Sequence, residues 1–190
     1  MALRESPASL CAIELMNAPA ANLSVWVGEK VVYIRIAGRA SFTCSVDFKT
    51  LVNKLWLKGY STFVLDLMDC LLMDSTFLGV LAGLGLKFGH ARNGDSEGSI
   101  ELLNPNARIC DLLENLGVAH LFKVLKGPEA SGEQFSPLEN TTGHPDRREV
   151  SRTCLEAHQT LMNINPANVP RFKDVAKFLA EDLKKMEEGG

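Results

Sequence analysis

A buried strand running through a polar corner into an apolar helix limits what this chain can fold into more than any other stretch. Phe63 to Leu67 is apolar and β-prone apart from Asp66, as befits a strand covered on both faces. Met73-Asp74-Ser75-Thr76 then leads into Phe77-Leu78-Gly79-Val80-Leu81 and a longer apolar run spaced by glycines. Asp74 and Ser75 are both residues that favour a helix N-cap. A serine there stands at the positive end of a helix dipole, among backbone N–H groups that lack intrahelical partners. That is a favourable place to put a phosphate or to sense one. The plainer reading is an ordinary capping serine.

The flanking sequence supplies the rest of a sheet. Leu23 to Val27 and Val31 to Ile36 are strand-like runs joined by Gly28-Glu29-Lys30, a connection that implies a hairpin. Gly38 and Ser41 break that pattern. A first helix is expected over about 43–58, with Val46, Phe48, Leu51, Val52 and Leu55 on its apolar face and Gly59 at its end. The third strand is Thr62 to Leu67, and the second helix spans about 75–91. Gly79, Gly83 and Gly85 would each weaken an isolated helix by about 1 kcal/mol relative to alanine. Such small residues suit a backbone pressed closely onto a neighbour. Asn93 to Ser96 reads as a turn and Ser99 to Leu103 as a strand. A helix over 106–116 follows, with Asn104 as cap and Pro105 in its first turn, and Leu121 to Leu125 is a last strand. The order β-β-α-β-α-β-α-β predicts an α/β fold: a mixed four- to five-stranded sheet with parallel crossovers, one antiparallel hairpin and helices packed on it.

Outside that unit, residues 1–22 are small, polar and unpatterned and read as an N-terminal arm. Residues 127–149 are dominated as far as Asp146 by glycine, proline, serine, threonine and asparagine and read as a linker. A helical hairpin over 150–187 closes the chain. Val150, Cys154, Ala157, His158 and Leu161 share one face; Phe172, Val175, Ala176, Leu179, Leu183 and Met186 share another. So short a hairpin cannot bury both faces alone. It must dock on the preceding unit, on a second copy to form a homodimer, or on another partner.

Composition removes several function classes. A net charge of −3 lacks the basic footprint of a nucleic-acid binder, and Arg147, Arg148 and Arg152 read as a solvated face. The longest apolar run is too short and too glycine-broken to span a membrane. Glu5 and Glu14 argue against a signal peptide ahead of Ala18-Pro19-Ala20. Cys11, Cys44, Cys70, Cys110 and Cys154 are widely spaced without a C-x-x-C pair, which suggests reduced thiols in a cytoplasmic protein. His90, His120, His144 and His158 do not pair with cysteine at zinc spacing, so no metal or other cofactor is expected. No phosphate-binding glycine motif is present. Asp66 and Asp74 could be read as a carboxylate pair, but no histidine or basic group is placed by sequence to complete an acid–base site, so no enzymatic activity is expected.

The pattern Val64-Leu65-Asp66-Leu67, five residues, then Met73-Asp74-Ser75-Thr76-Phe77-Leu78-Gly79-Val80-Leu81 resembles the STAS domain of bacterial anti-sigma factor antagonists and sulfate transporters. The resemblance covers roughly residues 23–126 and includes the order of elements. It implies a partner-switching protein whose unphosphorylated form binds a serine kinase that is also an anti-sigma factor, with a phosphatase restoring the serine. Carried onto this chain, the acceptor is Ser75, with Thr76 as a lesser substitute. The partner surface would comprise Ser41, Asp74, Ser75, Thr76, Phe77, Gly79 and the exposed side of the second helix. Two departures stand out. Phe77 replaces a usual glycine, leaving open whether it is partner surface or core. Ser41 stands near a position that is usually acidic.

The readings, in order of preference, are a phospho-regulated switch in transcriptional signalling, a non-switching STAS scaffold or transport-complex subunit binding through its surface and C-terminal helices, and an anion or nucleotide binder at the start of the second helix.

Overall fold

The computed structural model describes residues 21–89, 98–128, 135–138 and 146–188. The expected N-terminal arm, the Asn93 to Ser96 turn and most of the expected linker lie outside the described residues.

The chain opens with an antiparallel hairpin, β1 (Asn22–Val27) and β2 (Val31–Ala40), in register from Asn22 opposite Ala37 to Val27 opposite Val32. Three parallel strands extend the sheet on the other side of β2: β3 (Thr62–Asp66), β5 (Ser99–Leu103) and β6 (Lys123–Leu125). They are joined through α1 (Phe42–Leu57), α2 (Ser75–Gly89) and α3 (Ala107–Asn115). Two short strands enlarge the expected sheet. β4 (Cys70–Met73) pairs in parallel with the far end of β2, and β7 (Ser136–Pro137) pairs antiparallel with Ser24 and Val25 of β1.

β2 continues past Gly38 where the sequence suggested a break. The register shifts between Gly38 and Arg39, Gly38 takes φ 88°, and its N–H donates to Asp69 O at 2.9 Å. Glycine accommodates that left-handed bulge without steric cost. β4 thereby prolongs the lane of β3 beyond the Leu67–Asp69 break and carries the chain to Asp74. The third helix also differs. Its cap is Asn106, whose side chain accepts from Ile109 N at 3.0 Å, while Asn104 sits at φ 53°.

One face of the sheet alternates into the core. Val32, Ile34 and Ile36 of β2, Phe63 and Leu65 of β3, and Ile100 and Leu102 of β5 are buried, the period-two pattern of a sheet covered by helices. Phe48 of α1 and Phe77 of α2 meet at 4.8 Å between ring centroids, and Phe88 stacks on Trp56 at 4.1 Å. The opposite face is mixed: Val64 and Leu103 are buried on it and Trp26 packs on Tyr33, with charged pairs among them. Arg35 Nε lies 3.4 Å from Asp66 Oδ2, and Lys123 pairs with Glu101. Asp66 is therefore a structural anion under the sheet, apart from Asp74.

The C-terminal hairpin comprises α4 (Arg147–Ile164) and α5 (Val169–Glu188). It docks on its own chain, with α4 lying across α2. Ala157 and Leu161 join the same continuous core as the sheet, and Phe172 packs against it. At the hairpin bend, Asn168 Nδ2 donates to Leu116 O at 2.9 Å and to Leu161 O at 3.0 Å. Arg147 pairs with Asp182, Arg148 donates to Met186 O at 2.6 Å, and Arg152 lies 4.0 Å from Glu187, so all three clustered arginines tie α4 to α5. Val175 and Phe178 remain exposed on α5.

Candidate functional site

The Asp74–Ser75 corner is sewn to the β2–α1 junction. Asp74 N donates to Ala40 O at 3.0 Å, prolonging the β2–β4 ladder by one bond. The Asp74 carboxylate then serves two backbones: Oδ1 accepts from Phe77 N and Oδ2 from Phe42 N, each at 2.8 Å. Asp74 is the cap of α2, accepting from the third residue of the helix. Ser75 is the first helical residue and is not the capping side chain. This carboxylate also supplies the negative charge that an anion-binding helix start would seek from a ligand.

Ser75 is partly exposed, and its hydroxyl meets the C-terminal hairpin. Oγ lies 3.0 Å from His158 Nε2, and His158 Nδ1 lies 2.8 Å from Cys154 O. A carbonyl only accepts, so Nδ1 carries the proton; in the neutral ring Nε2 is then the acceptor and Ser75 donates to it. Burial lowers the His158 pKa, opposed by its bond to Cys154 O and by the Asp74 charge, which favours that neutral form. The ring of Phe172 packs 5.0 Å away.

The other proposed partner residues are interior in this structure. Phe77 is wholly buried on Phe48, which resolves its open role as core. Thr76 is buried, and its hydroxyl donates to Cys154 Sγ at 3.7 Å. Gly79 lies so close under α4 that a Cβ on it would stand 2.5 Å from Ala157 O. The side of the second helix expected to be exposed is thus covered by α4. Ser41 stands at the N-cap position of α1 without a side-chain capping bond and is buried; its Oγ bonds Thr43 Oγ1 at 2.8 Å, and its carbonyl accepts from Ser45 Oγ at 2.9 Å. The residue presented to solvent there is its neighbour Phe42, 49% exposed. Met68 and Leu71, on the segment leading to the corner, are exposed as well. Sequence reading missed these three because an apolar residue is ordinarily assigned to the core.

Nothing else in the described residues competes as a chemical centre. Burial pushes the Cys44 and Cys70 thiols up to about 11, the behaviour of inert packed cysteines. Among the described residues no cluster of histidine, cysteine and carboxylates could hold a metal ion, and no helix is long and apolar enough to cross a membrane. A cleft of about 300 Å³ between α1, α2 and α4 is lined by Lys49, Asn53, Gly83, Lys87, Glu156 and Thr160 among others. Its lysines are already engaged, Lys49 with Glu156 and Lys87 with Asn53.

No protein family and no curated protein matches this chain. Among solved structures, it is similar to the anti-sigma factor antagonist SpoIIAA in its unphosphorylated form, at 18% identity and TM-score 0.48 over 57% of this chain and 90% of that one. The Bacillus cell fate determinant SpoIIAA in its phosphorylated form gives 18% identity and TM-score 0.47 over 57% and 93%. An anti-sigma factor antagonist from Mycobacterium paratuberculosis gives 13% identity and TM-score 0.45 over 55% and 84%.

Proposed function

We propose that this chain is a non-catalytic, cytoplasmic partner-switching module of the anti-sigma factor antagonist type. Its partner is a protein that is both anti-sigma factor and serine kinase. That partner docks at the Asp74–Ser75 corner and phosphorylates Ser75, and a phosphatase reverses the step. One observation carries the reading: the corner that resembles the STAS motif holds a partly exposed serine at the first turn of α2. The exposed apolar side chains of Phe42, Met68 and Leu71 give a partner something to bury nearby. Thr76 is buried, which favours Ser75 as the acceptor.

In the transfer, the Oγ–P bond forms as the bond between the γ-phosphorus of ATP and its leaving ADP oxygen breaks. The hydroxyl proton goes to a base of the kinase. The product carries about −1.5 to −2 new charges beside the Asp74 carboxylate. A partner surface fitted to a neutral hydroxyl then loses its match; a loss of about 3 kcal/mol lowers affinity more than about 100-fold. The test is phosphate mapping on the chain after incubation with its cognate kinase, with binding measured for Ser75→Ala and Ser75→Glu. Phosphate on Ser75 and loss of binding only in Ser75→Glu are expected. Absence of phosphate, or unchanged binding by Ser75→Glu, would refute the switch.

A second reading is a non-switching STAS scaffold or transport-complex subunit. It is favoured by the engagement of the Ser75 hydroxyl with His158 and by the apolar side chains left exposed on α5. It predicts partner binding that tolerates Ser75→Glu and fails in Phe178→Glu. Phe172, packed on the core, is unsuitable for that test.

A further inference from the structure

The C-terminal hairpin occupies the face of α2 that a partner would need, and it is held there unevenly. At its bend the attachment is apolar and bonded. Leu161 is fully buried, Ile164 and Phe172 pack on the core, and Asn168 donates to carbonyls of Leu116 and Leu161. Toward the Ser75 end, α4 buries only small or polar groups: Ser151, Thr153, Ala157 and His158. Such groups contribute little apolar burial, so local opening is easiest at that end. The polar contacts there are Ser75 with His158 and Thr76 with Cys154 at the corner, and a solvent-exposed Lys49–Glu156 pair to α1 that contributes little. Backbone-close packing of Ala157 over Gly79 leaves no slack for an added group.

We infer that the Ser75-proximal part of α4 is a detachable internal cover, competing with the partner for the face of α2, while the bend at Leu161–Asn168 stays anchored. This deepens the proposed function and rests on it: transfer to Ser75 and partner docking take place on the form with that segment lifted. The Ser75 hydroxyl already sits at hydrogen-bond distance, 3.0 Å, from His158 Nε2, so a phosphoryl group added to it displaces that contact and places its charge beside the Asp74 carboxylate. Modification at Ser75 therefore biases the segment toward the lifted form, a two-state element driven by a local charge and packing change.

Amide hydrogen exchange on the full chain, read by mass spectrometry, tests this without any kinase or partner. Wild type is compared with Ser75→Glu, with Gly79→Ala, and with Thr76→Cys oxidised to a disulfide with Cys154. Ser75→Glu and Gly79→Ala should speed exchange over residues 150–158 at least about tenfold, leaving β2 and β3 unchanged. The disulfide should slow it below wild type. Exchange in residues 150–158 of Ser75→Glu that matches wild type, or that quickens only in step with β2 and β3, overturns the cover. A chain never phosphorylated at Ser75 can still pass this test, and a phosphorylated chain can fail it, so failure of the cover and failure of the switch are told apart.

Discussion

Adding one methyl group at two glycines of the same helix should have opposite effects on stability. A Cβ at Gly79 would stand 2.5 Å from Ala157 O and 2.8 Å from Ala157 Cβ, both on α4. Contact at ordinary separation needs close to an ångström more, and the obstacle is backbone that cannot rotate aside. At Gly83 the nearest atom is Thr160 Cγ2 at 3.8 Å, an ordinary contact. Either substitution favours the helix by up to about 1 kcal/mol, because alanine loses less backbone entropy than glycine. At Gly79 overpacking costs about 1–3 kcal/mol and outweighs that gain. Gly79→Ala should therefore lose about 1–2 kcal/mol, whereas Gly83→Ala should gain about 0.5–1 kcal/mol. For a chain of this size the two melting temperatures should shift in opposite directions by about 2–4 °C per kcal/mol. Urea denaturation by circular dichroism gives the midpoints. If Gly79→Ala proves as stabilising as Gly83→Ala, α4 does not lie against α2, and the account of the covered α2 face fails with it.

Other substitutions probe the supports of the corner. Arg35→Met strands the fully buried Asp66 carboxylate, so it should lose about 3–5 kcal/mol, and adding Asp66→Asn should restore part of the loss in a double-mutant cycle. Asp74→Ala removes the acceptor for both Phe77 N and Phe42 N; it should cost about 1–2 kcal/mol by denaturation, and Asp74→Asn, which can still accept at the cap, should cost less. Burial holds the His158 pKa below 6.5, so the unfolded chain takes up its proton at higher pH than the folded one. Stability should rise with pH from that depressed value to about 6.5 and then level off. His158→Gln should flatten this dependence in denaturation midpoints taken from about pH 5 to 8.

Elements that depend on local periodicity were legible in the order of the residues. The β-branched run of Val31 to Ile36 marked a strand, and the apolar run of Phe63 to Leu67 marked one covered on both faces. The spacing of Val46, Val52 and Leu55 gave the buried side of α1. The Asp-Ser corner before α2 was legible too, because cap residues mark helix starts from either side of the boundary. Which of the two caps depends on a long-range pairing: Asp74 N bonded to Ala40 O turns the aspartate toward Phe42 and Phe77 and leaves Ser75 to make another contact. β4 and β7 escaped notice because strands so short have no period of their own and exist by pairing with β2 and β1. Phe77 and the glycines of α2 carried the same ambiguity. An apolar or small residue records that something must lie close, and it does not record what. The contact that matters most joins Ser75 to His158, 83 residues apart. Amphipathic spacing required the C-terminal helices to be covered, but many surfaces satisfy that requirement. The choice of α2 came from shape, Gly79 admitting the backbone at Ala157, and shape complementarity between distant segments exists only once the chain has folded.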